Sequence, residues 1–333
     1  MATPAGHFNM MAVDQRHQIA SFISNRLGID AGEVNFADMV AIKRVLVEAL
    51  GEQVSAVLLD PNFSFPAALA KLPARTGFVV TLEDNRFEDT PGGRLSRSIR
   101  NWSVEKIKRA GGDGVKVLAW YRPDAAPDIL AHQKSYVESI GDACRRHDIA
   151  LVLELLVYPF PKGARRAFDG FDSPDTLPEL VLGSVREFVH PRYGVDLLKL
   201  ESPLPGATLP ARDGGTGHLQ AQRWFGEMGA ICRGAGMPWV MLSAGVTSAQ
   251  FMRVMEYAYA AGANGFLAGR AIWWDALQQF PDLEKFAAQL RVQGRATLRE
   301  LDALTLRAGK PWHPDYGALE TFTSEGELCA AYR

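Results

Sequence analysis

The chain alternates short, continuously apolar segments with longer stretches in which apolar residues recur at helical spacing. Each apolar segment has the length and composition of a strand buried on both faces, which is the pattern of a parallel sheet. Eight such segments are predicted as strands: Asn9–Asp14, Ala56–Asp60, Gly77–Glu83, Gly114–Tyr121, Ala150–Tyr158, Leu197–Pro203, Pro238–Gly245 and Gly265–Trp273.

Helical periodicity fills the segments between these strands. The region from Gln15 to Gly51 is long enough for two helices. A helix at Ser248–Ala261 has Thr247 or Ser248 available as N-cap and Gly262 at its end. Further helices are predicted at Leu130–His147, Ala221–Gly234 and Thr297–Ala308.

Regular alternation of strands and helices predicts a parallel sheet with right-handed crossovers, and eight units predict a closed (β/α)₈ TIM barrel. A doubly wound open sheet is the alternative. It usually has a glycine-rich turn after its first strand, where this chain has Asp14-Gln-Arg-His17. We therefore expect one barrel over residues 1–293, followed by a C-terminal extension, 294–333, of one helix and an irregular tail packed on the barrel.

The composition of the chain argues against several classes of function. The chain has 333 residues, 47% hydrophobic and 22% charged, and a net charge of −2, which argues against a nucleic-acid or membrane-surface partner. No apolar run has the length of a membrane span, and the N-terminus does not resemble a signal peptide. The cysteines, Cys144, Cys232 and Cys329, are odd in number and far apart, which predicts a reducing cytoplasm rather than a disulfide framework.

Three charged residues interrupt the apolar strands. Lys116 and Lys199 lie in the fourth and sixth predicted strands, which share parity, and Glu154 lies in the fifth. Alternate strands of a barrel supply one layer of inward side chains, so the two lysines can lie close together. Their repulsion, roughly a few kcal/mol at an effective dielectric of about 20, predicts one uncharged amine that acts as a nucleophile. A buried ion cluster without chemistry is the alternative.

Carboxylates end the first two predicted strands and should reach the same rim. Asp14, which begins a polar group with Gln15 and Arg16, could orient a substrate hydroxyl or transfer a proton. Asp60 could do the same, or it could cap a helix ahead of Pro61.

The seventh and eighth predicted strands end in small residues, Ser243 and Gly245 in one and Gly269 beside Arg270 in the other. Small residues let backbone N–H groups approach an anion, and the corresponding loops of TIM barrels commonly bind phosphate. Tight turns without a ligand are the alternative. No histidine lies in a predicted strand, so neither a catalytic metal nor another cofactor is expected.

An ordered set of motifs along nearly the whole chain resembles the class I tagatose-1,6-bisphosphate aldolases and their sulfofructose-phosphate aldolase relatives. These motifs are Ala12-Val-Asp-Gln-Arg16, Leu58-Leu-Asp-Pro61, Thr90-Pro-Gly-Gly-Arg94, Trp102-Ser-Val-Glu-Lys-Ile-Lys108, Val115-Lys116, Leu153-Glu154, Leu198-Lys-Leu-Glu201, Leu242-Ser-Ala-Gly-Val246 and Gly269-Arg-Ala271.

The resemblance implies a Schiff-base aldolase that acts on a phosphorylated or sulfonated ketose. Lys199 would form the Schiff base, with Lys116 and Glu154 beside it. The sugar hydroxyls would contact Asp14, Gln15 and Asp60, and a phosphate would contact Ser243, Gly245, Gly269 and Arg270. We also expect a homo-oligomer.

The loop from Glu201 to Gly215 departs from the tagatose enzymes, so the distal substrate group could be a phosphate or a sulfonate. Arg16 and Arg212 are the candidates to bind it. A transaldolase using the same Schiff base and a sugar-phosphate-binding regulatory barrel without useful turnover are the alternative functions.

Overall fold

The computed structural model describes residues 1–160 and 176–313. Ten strands lie in this part of the chain: β1 Phe8–Ala12, β2 Ala56–Leu59, β3 Gly77–Thr81, β4 Glu88–Thr90, β5 Gly93–Leu95, β6 Gly114–Trp120, β7 Ala150–Leu156, β8 Leu197–Leu200, β9 Trp239–Met241 and β10 Gly265–Ala268. Eight of them close into a parallel barrel in the order β1, β10, β9, β8, β7, β6, β3, β2. The other two, β4 and β5, form an antiparallel hairpin after β3.

Helices surround the barrel: α1 His17–Leu27, α2 Phe36–Leu50, α3 Ser64–Ala68, α4 Val104–Arg109, α5 Pro127–Arg146, α6 Thr176–Phe188, α7 Thr216–Gly234, α8 Ser248–Ala261, α9 Arg270–Leu277, α10 Leu283–Gln289 and α11 Arg295–Ala308. Local chemistry sets their ends. In α8, Thr247 and Gln250 form a capping box, and Gly262 ends the helix with a left-handed φ of 100°.

Apolar side chains fill the lumen at the start of the strands. This inner cluster is separate from the larger core between strands and helices, and it includes Val152 and Leu197. Glu154 and Lys199 lie two residues after these two positions, so they point to the same inward face one layer higher. The charged layer therefore has an apolar layer beneath it and the carboxyl-terminal rim above it.

The fold class predicted from the sequence is confirmed: the strands close into a (β/α)₈ barrel. The two helices expected in the first segment are α1 and α2, and the predicted helix at Ser248–Ala261 is α8. Strand ends were predicted too late. In the last case β10 ends at Ala268 and α9 begins at Arg270, because apolar residues after Gly269 pack on the barrel as a helix.

The helix predicted after residue 294 is present as α11, which packs against α8 on the barrel. Residues 314–333 of the expected tail lie outside the described residues, so the division at residue 293 stays a prediction. In the ranges that the structure describes, no helix is both long enough and apolar enough to cross a membrane.

Candidate active site

A cavity of about 560 Å³ opens at the carboxyl-terminal rim of the barrel. Its wall brings together residues that are distant in sequence but were predicted to share one site. These are Asp14, Gln15, Arg16, Lys116, Glu154, Lys199, Ser243, Gly269 and Arg270. Asp60 and Gly245, which were predicted with them, are not part of this wall.

Lys116 is the centre of an ion cluster at the floor of the cavity. Its Nζ lies 3.0 Å from Asp14 Oδ2, 2.6 Å from Glu83 Oε1 and 2.7 Å from Glu154 Oε2. Burial disfavours its charge, but the three carboxylates outweigh burial and raise the pKa of Lys116 well above its ordinary value. Lys116 is therefore a fixed ammonium, so it is not the uncharged one of the two lysines that the sequence predicted.

Lys199 shares one carboxylate oxygen with Lys116. Its Nζ donates to Glu154 Oε2 at 2.9 Å, and Glu154 is its one ion-pair partner among the described residues. The strand register explains the contact, because Glu154 on β7 is paired with Lys199 on β8. Lys199 is thus a buried amine, 3% exposed, with a single partner and with access to the cavity. Of the two lysines it is the better placed to attack a carbonyl carbon.

The two carboxylates nearest these lysines, Glu154 and Asp14, both have lowered pKa values. Burial alone would raise the pKa of Glu154, but Lys116 and Lys199 together hold it below its ordinary value. Burial opposes the Asp14 charge in the same way, and Lys116 and Lys199 hold the pKa of Asp14 well below its usual range. Both residues are therefore carboxylates at neutral pH, able to accept a proton or a hydroxyl hydrogen bond.

The loops after β9 and β10 form a basic concavity beside this cluster. Ala244 and Gly245 have consecutive positive φ values of 48° and 84°, which bend the chain around the Arg270 guanidinium. A Cβ on Gly245 would lie 2.6 Å from Arg270 Nη1, so glycine leaves the room that the guanidinium occupies. Gly245 thus positions Arg270 without lining the cavity. Gly269 caps α9, where a Cβ would lie 2.7 Å from the Ala12 carbonyl oxygen.

Arg16 supplies a second cation to the cavity wall. Its side chain is 7% exposed and its Nη2 donates to the Glu83 carbonyl oxygen at 3.1 Å. The Nε atom of Arg16 and the Oε1 atom of Gln15 are buried and have no hydrogen-bond partner in the described ranges. Both atoms therefore lack a partner within the described part of the protein, at residues that line the cavity.

Two residues that were predicted to bind the substrate, Asp60 and Arg212, lie outside this cavity wall. Asp60 is 0% exposed and its Oδ2 forms an ion pair with Lys43 of α2 at 2.5 Å. Its Oδ1 accepts from the N–H groups of Asn62 and Phe63, so this carboxylate holds the turn after β2 instead of facing substrate. Arg212 lines a separate cavity of about 520 Å³ together with Arg307. The structure therefore does not place it with Lys199.

Two acidic residues of the cavity wall were not assigned a role from the sequence. Glu83 follows β3, which pairs with β6, the strand that carries Lys116. Its contact with Lys116 could therefore have been predicted from the order of the strands. Glu201 follows β8 two residues after Lys199, and its Oε1 accepts from the Val157 N–H at 2.6 Å. Burial raises the pKa of both, for Glu201 to about 8. Among the described residues no cluster of three or more His, Cys, Asp or Glu side chains is arranged to hold a metal ion.

Residues 8–275 match the family model described as DeoC/LacD family aldolase. The chain is 31% identical over 328 residues to a protein named tagatose 1,6-diphosphate aldolase from Listeria monocytogenes serotype 4a, covering 96% of this chain and 94% of that protein. It is 29% identical over 326 residues to tagatose 1,6-diphosphate aldolase 2 of Enterococcus faecalis, covering 94% and 93% of the two chains.

Solved structures with the same fold include other aldolases. A fructose-bisphosphate aldolase from Plasmodium falciparum superposes with a TM-score of 0.64 at 13% identity, over 92% of this chain and 93% of that chain. An archaeal fructose-1,6-bisphosphate aldolase with its catalytic lysine bound to the carbinolamine intermediate gives a TM-score of 0.56 at 18% identity, over 91% and 95%. At these identities the likeness establishes the fold.

Proposed function

Because this chain belongs to the DeoC/LacD family and is an aldolase, a carbon–carbon lyase, we propose that it works by the class I mechanism, with Lys199 as the Schiff-base residue. The observation that carries this proposal is the asymmetry of the two lysines. Lys116 is held as an ammonium by three carboxylates, whereas Lys199 contacts one and opens onto the cavity. A buried amine that reaches a cavity is the arrangement that imine chemistry requires.

The reaction follows from the positions of these groups. Lys199 adds to the C2 ketone of the substrate, water leaves, and the protonated imine draws electrons from the C3–C4 bond. Glu154 takes the proton of the C4 hydroxyl, the C3–C4 bond breaks, and an aldehyde leaves. The remaining enamine takes a proton at C3, and hydrolysis of the imine releases dihydroxyacetone phosphate. Lys116 keeps Glu154 a carboxylate and offers its positive charge to the substrate oxygens.

The cavity favours a ketose with an anion at each end, such as tagatose 1,6-bisphosphate. Arg270 and the N-terminus of α9 would bind the phosphate of the dihydroxyacetone half, together with Ser243. Arg16 would bind the distal anion, since its Nε lacks a partner in the described residues. Asp14 and Gln15 would contact the sugar hydroxyls. A distal sulfonate in place of phosphate remains the second candidate, and a homo-oligomer and a cytoplasmic location stay predictions from the sequence.

Borohydride trapping tests the mechanism. The protein is incubated with dihydroxyacetone phosphate, reduced, weighed by mass spectrometry, and digested to find the modified residue. We expect one adduct on Lys199. No adduct would contradict the Schiff-base mechanism and would favour a binding barrel without turnover.

Product assays then separate the substrates. We expect cleavage of tagatose 1,6-bisphosphate, with fructose 1,6-bisphosphate and sulfofructose phosphate as the comparison substrates. Cleavage of sulfofructose phosphate alone would replace the distal phosphate by a sulfonate. Product formation that depends on an added acceptor aldehyde would indicate a transaldolase.

A further inference from the structure

Glu201 is an acidic group of the cavity wall that the mechanism above does not use. It follows β8 directly and lines the cavity together with Lys199, two residues earlier. The Val157 N–H binds its Oε1 at 2.6 Å and so fixes the direction of the carboxyl group. Glu201 is thus a positioned acid directly after the strand that carries the proposed nucleophile.

The proton on Glu201 distinguishes it from Glu154. Burial is the main cause that raises the pKa of Glu201, to about 8; the hydrogen bond from Val157 opposes the rise in part, and the nearby Glu154 carboxylate adds a smaller contribution to it. Glu201 therefore carries its proton at neutral pH, whereas Glu154, whose pKa is lowered by Lys116 and Lys199, does not. Two carboxyl groups of one site whose pKa values are driven apart commonly divide the roles of acid and base.

Other groups of the cavity are less suited to donate a proton. Lys116 is held charged by its three carboxylates, and Asp14 is itself a carboxylate. Glu83 also has a raised pKa, but its Oε1 accepts a hydrogen bond from the charged Lys116 at 2.6 Å and its Oε2 is buried. Among the residues that the structure describes, no lysine or arginine, Lys199 included, forms an ion pair with Glu201.

We propose that Glu201 is the general acid that converts the carbinolamine on Lys199 into the imine. The Glu201 carboxyl gives its proton to the C2 hydroxyl, that oxygen leaves as water, and the nitrogen lone pair of Lys199 forms the C=N bond. When water later adds to the imine, the proton that it loses returns to Glu201. This role rests on the proposed Schiff-base function, and it leaves Glu154 as the base at the C4 hydroxyl.

The test measures imine formation apart from cleavage. Wild type, Glu201→Gln and Glu201→Asp are mixed with dihydroxyacetone phosphate and reduced with borohydride at successive times, so that the rate of adduct formation is followed by mass. Glutamine keeps an oxygen acceptor for the Val157 N–H but has no proton to give. The matched control is Glu179→Gln on the exposed face of α6, which is the same chemical change outside the cavity.

We expect Glu201→Gln to form the adduct on the order of 10²-fold more slowly, the lower range for loss of a general acid. In wild type the rate should fall as pH rises through about 8, the pKa of Glu201, and this fall should be absent in Glu201→Gln. Glu201→Asp should restore the pH dependence with an intermediate rate, and Glu179→Gln should match wild type.

A Glu201→Gln enzyme with the wild-type rate and the same decline above pH 8 would overturn the proposal. If Glu83→Gln then removed that decline, the acid would be Glu83. A wild-type protein that forms no adduct at all would overturn the Schiff-base function itself, so the two failures are distinguishable. Circular dichroism on each variant separates a loss of acid from a loss of fold.

Discussion

The single buried lysine Lys43 and the buried pair Lys116 and Lys199 have opposite surroundings in this barrel. Lys43 of α2 contacts Asp60 at 2.5 Å and the Val13 carbonyl oxygen at 2.6 Å, and both charged side chains are fully buried. Lys116 and Lys199 share Glu154 at the floor of an open cavity. Lys43 is closed to any substrate, whereas the pair of Lys116 and Lys199 is open to one.

The pKa values show why burial alone does not identify a reactive amine. Burial lowers the pKa of Lys43 in spite of its ion pair with Asp60, which is the shift expected of a nucleophilic lysine. Lys43 nevertheless has no route to a carbonyl carbon. A shifted pKa therefore indicates a candidate, and access to the cavity decides between structural and chemical roles.

The largest expected effect is a loss of activity, which should follow substitution of Lys199 but not of Lys43. Lys199→Ala should lower cleavage on the order of 10⁵-fold or more, as measured when a covalent nucleophile is removed from other enzymes. The free energy of unfolding should change by no more than about 2 kcal/mol, because Glu154 keeps Lys116 as its partner. Turnover assays, borohydride trapping and urea unfolding measure these quantities.

A Lys199→Ala protein that is still trapped by borohydride, with the label on Lys116, would show that the two lysines have exchanged roles. The lysine held by three carboxylates would then be the reactive one, and contact with several carboxylates would not prevent Schiff-base chemistry.

The next largest expected effect is a loss of stability, which should follow substitution of Lys43. Lys43→Met should lower the free energy of unfolding by roughly 3–5 kcal/mol, because it leaves the Asp60 carboxylate buried without its cation. The fraction that remains folded should be trapped by dihydroxyacetone phosphate at the wild-type rate. Urea unfolding and single-turnover trapping measure the two outcomes.

Lys285→Met is the matched control for this change. Lys285 forms an ion pair with Asp282 at 2.9 Å, but its side chain is 73% exposed. We expect no measurable change in stability, since solvent screens such pairs. If Lys43→Met instead lost activity at unchanged stability, the Lys43–Asp60 pair would belong to the substrate site after all.

The barrel and its inward layer of charged residues could be predicted from the sequence, because both depend on the periodicity of apolar residues. Each strand is a short apolar run, so the charged residues Lys116, Glu154 and Lys199 are conspicuous within these runs. The order of strands in a barrel then brings charged residues on neighbouring strands together. The three residues were found because their environment could be inferred from the residues on either side of them.

Asp60 and Glu83 show where that inference ends. Each is the last residue of a predicted buried strand, yet Asp60 contacts Lys43 on a helix and Glu83 contacts Lys116 in the barrel. The partner of Asp60 depends on how α2 packs across β2, and sequence spacing does not contain that contact. The register of β3 with β6 likewise decides the partner of Glu83.

The smallest expected effect concerns a third kind of buried cation. Arg270 lines the cavity and, among the described residues, has no carboxylate within ion-pair distance, while burial lowers its pKa. Unlike Lys43 and Lys116, it is free to pair with a substrate anion. Arg270→Ala should lose a charge-assisted contact of roughly 1.5–3 kcal/mol, or on the order of ten- to a hundred-fold in kcat/KM.

This loss should be similar for every ketose tested, because all of them carry the phosphate of the dihydroxyacetone half. Arg16→Ala is the matched control on the other side of the site. Since Arg16 is proposed to bind the distal anion, its loss should change the preference between phosphate and sulfonate substrates and leave trapping of dihydroxyacetone phosphate near wild type. If Arg270→Ala changed that preference and Arg16→Ala weakened trapping, the substrate would lie in the opposite direction in the barrel. The two cations would then exchange ends, while Lys199 would keep its place between them.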